Sequence, residues 1–291
     1  MLRPTARALN PLKRRRISPR HPVDSDHSVP LPRRVAPQFA FATGGSLLAV
    51  GLAAWATNHD TESRNSSSWA AWTRRHSTGL QPDLARARFN EAYQAAKDRV
   101  ARFPGNRLVV IVNEKWLELG EAKRTQAGLI AAFVGVFVLW RLPVGRAPAT
   151  IGKWLAHDPL SGKSSTMLTS VFSHRTVPHL AFNSIALFSF GTACFATLDY
   201  SELLPRSTSR YEFLAFFTCA GLASSFASHV WFSRVVAGRL LRIASHAQVR
   251  SAIVPSLGAS GAVYSCLAMT ALSFPESNVS LILIPFVPIP I

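Results

Sequence analysis

The sequence predicts an all-α fold, a polytopic bundle of membrane helices. Three observations carry this. Only 16% of the 291 residues are charged, against about 25% in an average soluble chain. The net charge is nevertheless +17, from 32 Lys and Arg against 15 Asp and Glu. The basic residues sit in blocks, separated by uncharged apolar runs long enough to cross a bilayer. The three cysteines, Cys194, Cys219 and Cys266, all lie inside apolar runs and none forms a CxxC pair. That excludes a disulfide scaffold and a zinc module.

Residues 1–38 differ in kind from the rest. They hold nine Lys and Arg, including Lys13-Arg14-Arg15-Arg16, and only Asp24 and Asp26 as acids. Frequent prolines, from Pro4 to Pro37, forbid a long helix. An Arg-rich, acid-poor, hydroxyl-containing start is the composition of a mitochondrial transit segment, drawn inward by the membrane potential. The alternative is a solvated basic tail binding anionic lipid. A nucleic-acid arm is disfavoured because a membrane anchor follows, so no nucleic-acid partner is expected.

Residues 39–57, from Phe39 to Thr57, are uncharged and predict an N-terminal membrane helix. Residues 58–124 form a polar segment with twelve bases and eight acids. Within it Pro82 to Arg102 reads as an amphipathic helix, and Leu108 to Val112 as a short strand or buried helical turn. From residue 125 to 291 apolar runs alternate with basic loops. The runs are Thr125–Trp140, Val177–Leu198, Phe213–Phe232, Ser251–Pro275 and a last one, Ser277–Ile291. The closing stretch Pro285-Phe-Val-Pro-Ile-Pro-Ile291 has too many prolines to finish a helix comfortably.

Loop charge sets an orientation. Residues 1–38 are net +7, Arg141–Pro178 carries five bases and one acid, and Ser233–Arg250 four bases and no acid. Asp199–Glu212 has two bases and three acids. The positive-inside tendency places the three basic segments on one side, the matrix side in a mitochondrion.

Two short stretches carry chemistry. In Pro255-Ser-Leu-Gly-Ala-Ser-Gly-Ala-Val-Tyr264 a serine sits between glycines at the start of a span. Gly258 and Gly261 permit close approach of backbone or substrate. A helix N-terminus offers unpaired N–H groups to a developing oxyanion. The competing reading is packing, with Gly258, Ala262 and Cys266 forming a small-residue face. In Phe172-Ser-His-Arg-Thr-Val-Pro-His-Leu-Ala-Phe-Asn183, His179 and Asn183 lie one helical turn apart on one face. Polar side chains inside a span default to a functional hypothesis, and both can donate hydrogen bonds to a tetrahedral intermediate. Structural bonding between helices is the alternative. His174 is either an orienting group beside them or an interfacial histidine. No carboxylate or third ligand accompanies the histidines, so neither a metal nor another cofactor is expected.

Together, an HxxxN pair at one span's start and GxSG two spans later resemble the rhomboid family of intramembrane serine proteases. The match is closest to the mitochondrial presenilin-associated rhomboid-like branch, through Leu139-Trp-Arg-Leu-Pro143, the run from Phe172 to Phe190, and Pro255 to Ala262. It covers about Trp116 to Ile291, behind one extra N-terminal span. The resemblance implies that Ser260 is the nucleophile and that His179, Asn183 and the Ser260 N–H form the oxyanion hole. It places Tyr264 where the family's tyrosine packs on the catalytic histidine, and Gly258 and Gly261 around the nucleophile. It further implies single-span membrane proteins as substrates and a multi-pass location in the mitochondrial inner membrane.

One departure bears on activity. The family's base is a histidine on the last core span, and none of the nine histidines here follows Ser260. That final catalytic span is missing from these residues, as in a C-terminally truncated member. A serine hydroxyl without a base is a weak nucleophile. His229 and His246 belong to a span's end and a basic loop, with nothing expected to hold them at hydrogen-bond distance. The expectation is an intramembrane serine endopeptidase that is inactive as written. The alternative is a non-catalytic binder of membrane clients. A carrier or channel would show paired broken helices with facing charges, and none is visible.

Overall fold

Helices dominate because the apolar runs must satisfy their backbone groups internally. A computed structural model of the chain describes residues 34–66, 94, 98, 115, 116, 119–142, 147–199, 208–276, 278–281 and 284–290. Helix α1 spans Ala36–Ser66 and α2 Glu121–Leu139. Short α3 (Ala147–Leu155) and α4 (Thr166–Thr169) follow, α4 running into a 3-10 turn at Ser170–Phe172. Next come α5 (Val177–Asp199) and α6 (Arg210–Leu240), interrupted by π turns at Leu187–Gly191 and Trp231–Val236. Then α7 (His246–Ala252) leads to α8 (Ser260–Ser273). Residues Ala36–Ser63 of α1, together with α2, α5 and α6, make four helices long and apolar enough to cross a membrane. Among the described residues the bundle is therefore helical apart from one two-stranded sheet.

Some spans outrun their uncharged cores. Helix α2 begins at Glu121, four residues before the apolar run, with its acid in the first turn, where the dipole favours it. Helix α6 likewise adds Arg210–Glu212 at its start and continues to Leu240. Helix α1 runs antiparallel along α6. The Arg34 carbonyl accepts from His229 Nε2 at 2.8 Å at one end, and Tyr211 Oη donates to Asp60 Oδ2 at 3.1 Å at the other. The central core packs Phe133, Leu187, Cys194, Phe213, Phe217, Ala262 and Cys266 from α2, α5, α6 and α8.

Two expectations need correction. The run Ser251–Pro275 is not one helix, since α7 ends at Ala252 and α8 starts at Ser260. Its 14 residues span about 21 Å, short of a ~30 Å hydrocarbon core. The described residues of the apolar run Ser277–Ile291 are not helical either. Strand β1 (Asn278–Leu281) pairs antiparallel with β2 (Ile284–Pro290), from Asn278↔Pro290 to Leu281↔Ile284. Pro285, Pro288 and Pro290 lack the N–H groups a helix would use. The expected transit residues, apart from those after position 33, the proposed amphipathic helix Pro82–Arg102 (all but residues 94 and 98) and Leu108–Val112 lie outside the described residues.

Candidate active site

Helix α5 starts where Thr176 caps it. Thr176 is extended (φ −122°, ψ 152°), and its hydroxyl accepts from the His179 N–H at 3.4 Å. Pro178 sits in the first turn, where its missing N–H costs nothing. This start places His179 and Asn183 one above the other. Asn183 is buried and its amide Nδ2 donates to the His179 carbonyl at 2.8 Å. In this state the amide donor is turned back onto its own helix.

Ser260 is the first residue of α8 and is exposed. The first helical bond of α8 runs from the Val263 N–H to the Ala259 carbonyl, and no side chain caps the start. The N–H groups of the opening turn are thus available to a ligand. The lead-in is held by backbone bonds instead. Gly258 N–H donates to the Ser170 carbonyl at 2.9 Å, and Ser256 exchanges two 2.9 Å bonds with His157. Non-helical backbone inside an apolar run persists because these partners satisfy it.

Gly258 brings the two stretches together. Its φ is +121°, open only to glycine at low cost. A Cβ there would lie 2.6 Å from His179 Cε1 and 2.7 Å from Nε2. The imidazole therefore presses directly on the backbone two residues before Ser260. Gly261 makes the second close approach, since a Cβ there would lie 2.4 Å from Ser224 Cβ on α6. The small-residue packing reading thus describes part of α8 correctly: Ala262 and Cys266 are buried, while Gly258 and Gly261 make the tight contacts.

His174 lies behind His179, fully buried, with the two rings edge to face at 5.0 Å and Phe133 4.9 Å away. Neither ring nitrogen makes a good hydrogen bond. Burial, reinforced by His179, pushes its pKa down to about 4, against a weak opposing pull from the Phe172 backbone. The ring is neutral at physiological pH and works as an apolar wedge behind His179.

Tyr264 is 69% exposed. Ser260, Tyr264, Ala268 and Leu272 recur every four residues and all are exposed, so one face of α8 is bare among the described residues. His229 is engaged by other partners. It is buried and firmly held, its Nδ1 3.1 Å from His157 Nε2 and its Nε2 2.8 Å from the Arg34 carbonyl. His157 was not singled out in the sequence, because 72 residues separate it from its partner. His229 inside an apolar span was the available signal. Among the described residues no group of His, Cys, Asp or Glu is arranged to hold a metal ion.

Residues 161–291 match the model of the Rhomboid domain. Presenilin-associated rhomboid-like protein, mitochondrial, from Bos taurus is 33% identical over 175 residues, which is 60% of this chain and 39% of that protein. The Homo sapiens protein of the same description gives the same figures. Rhomboid protein 1, mitochondrial, from Saccharomyces cerevisiae is 31% identical over 160 residues, 54% of this chain and 38% of that protein. The chain thus spans about two fifths of the length of these relatives. No solved structure matches it.

Proposed function

We propose, from the match of residues 161–291 to the Rhomboid domain, that the chain is a rhomboid-type protein that works on peptide bonds inside a membrane, as an intramembrane serine endopeptidase. The supporting observation is the contact of the His179 ring with the Gly258 backbone, which gathers the HxxxN and GxSG stretches at an uncapped helix start. Single-span membrane proteins are the proposed substrates and the mitochondrial inner membrane the proposed location. The described mitochondrial location of the relatives and the basic start of the chain support the latter.

In this reading Ser260 Oγ attacks the scissile carbonyl carbon. The carbonyl oxygen takes up negative charge and is met by the Ser260 N–H, the His179 imidazole N–H and the Asn183 amide. Asn183 must first release the His179 carbonyl, so substrate exchanges one acceptor for another. The serine proton needs a base on the solvent side of Ser260. The bare face through Tyr264, Ala268 and Leu272 is where an element carrying that base has room to pack. His179 serves as a donor here and cannot also take the proton, and His229 is committed to Arg34 and His157.

These 291 residues alone should therefore not cleave. Loss of a triad-type base leaves about 10³–10⁴-fold acceleration over water from the remaining groups. The second reading, a binder of membrane clients, draws on the same bare face. The test compares this chain with one extended by the family's Gly/His span, using a single-span substrate and a serine-directed probe. Labelling and cleavage confined to the extended form and abolished by Ser260→Ala support the protease. Cleavage by the short form that depends on Ser260 would show another base. Substrate capture by the extended form without cleavage would favour the binder.

A further inference from the structure

We infer that His157 and His229 jointly hold one proton inside the fold, and that this proton closes a hydrogen-bonded chain that positions the segment leading to Ser260. The chain has two ends and both are acceptors. At one end the Thr166 hydroxyl donates to the Lys163 carbonyl at 2.9 Å. Thr166 Oγ1 lies 2.9 Å from His157 Nδ1, and His157 Nε2 lies 3.1 Å from His229 Nδ1. At the other end His229 Nε2 lies 2.8 Å from the Arg34 carbonyl.

Each of these four links needs one hydrogen. A hydroxyl and two neutral imidazoles supply three. With both rings neutral, one link must face lone pair against lone pair at hydrogen-bond distance. One added proton removes the conflict. Thr166 gives to Lys163, His157 Nδ1–H gives to Thr166, and His229 gives from both nitrogens, to His157 and to Arg34. A second proton would leave His157 Nε2–H pointing at a donor. Burial and His229 accordingly hold the His157 pKa down at about 4.

The neighbouring charges are mostly cationic and oppose a second proton. The charged or titratable groups on the segments beside the pair include Arg34, Lys153, Asp158, Lys163, Arg234, Arg239, His246 and Arg250. All but Asp158 and half-buried His246 point into solvent, and Asp158 accepts from the Leu160 N–H at 2.8 Å. The backbone of the same His157 makes both bonds to Ser256. The proton thus ties the Ser260 lead-in to α4, to α6 and to the start of α1. The proton site stands without the protease reading; only its consequence for catalysis rests on that reading, and the test below uses no cleavage.

The experiment follows unfolding of the full 291-residue chain in lipid nanodiscs from about pH 6 to about pH 9. Unfolded histidine releases its proton near 6.5. A folded pair that keeps one proton loses stability as the pH rises above that value, by up to about tenfold in the folding constant per unit. Thr166→Val removes the hydroxyl and its two links, so the two neutral rings supply a hydrogen to each of the two links that remain; its profile is flat there. Equal, flat profiles for both chains overturn the proposal. If the variant does not fold, nitrogen NMR of the unaltered chain decides: three protonated ring nitrogens of four in the pair support the proton, two overturn it. Exchange of the Ser256 amide, corrected for its intrinsic rate, rises as the proton leaves. Constant exchange would refute the positioning role.

Discussion

Gly258→Ala tests the junction between the two stretches. At φ +121° a residue with a Cβ carries strain of about 1–3 kcal/mol. Its methyl would also stand 2.6 Å from a ring carbon of His179. Ordinary contact lies near 3.5–4.0 Å, so the ring or the loop must yield by about 1 Å. Overpacking of this kind costs about 1–3 kcal/mol, giving a total of about 2–6 kcal/mol. The two contributions separate in a double-mutant cycle with His179→Ala, measured by reversible denaturant unfolding in mixed micelles. Removing the ring relieves the clash and leaves the strain, so the double mutant recovers about 1–3 kcal/mol relative to additivity. Additive effects, within about 0.5 kcal/mol, would mean that His179 does not press on Gly258, and the junction would be refuted.

The second close approach gives a sharper chemical choice. Gly261→Ala should destabilise by about 1–3 kcal/mol. Ser224→Gly should relieve that change while Ser224→Ala should not, because the nearest immovable atom is Ser224 Cβ. His174 makes a pH prediction. Its folded pKa is depressed to about 4, so stability is unaffected above an unfolded value near 6.5 and declines as the pH falls from there toward 4. The loss amounts to at most about 3 kcal/mol; His174→Phe should remove this part of the acid sensitivity, and an unchanged acid limb in denaturant titrations would refute the buried, neutral ring. For targeting, residues 1–38 fused to a fluorescent reporter should reach mitochondria, and replacing Arg14, Arg15 and Arg16 with Gln should weaken import. A cytosolic intact fusion would refute the transit reading.

Much of the membrane architecture is legible locally, since an uncharged run must satisfy its own backbone wherever it sits in the bundle. The runs Phe39–Thr57, Val177–Leu198 and Phe213–Phe232 lie within described helices, and Thr125–Trp140 does so up to Leu139. Their ends were less legible. Helical hydrogen bonding continues through charged residues such as Glu121 and Arg210, which composition alone treats as boundaries. The prolines after Ile284 announced that a helix would not finish there, but not that the segment would fold back as a hairpin.

By itself, then, the sequence determined the helical nature of its four longest uncharged runs and singled out His179, Asn183 and Ser260 as candidates for function. These follow from side-chain chemistry and spacing along a single segment. Only the tertiary structure decided how they meet: the His179 ring against Gly258, the amide of Asn183 turned onto its own helix, and Tyr264 left bare. It alone joined His157 to His229 and, through Ser256, to the serine segment. Such contacts depend on how helices distant in sequence cross, and no local period records a crossing. The glycines mark that boundary well. Their presence is visible in the sequence, but the φ of Gly258 and the atom each one faces exist only once the helices have packed.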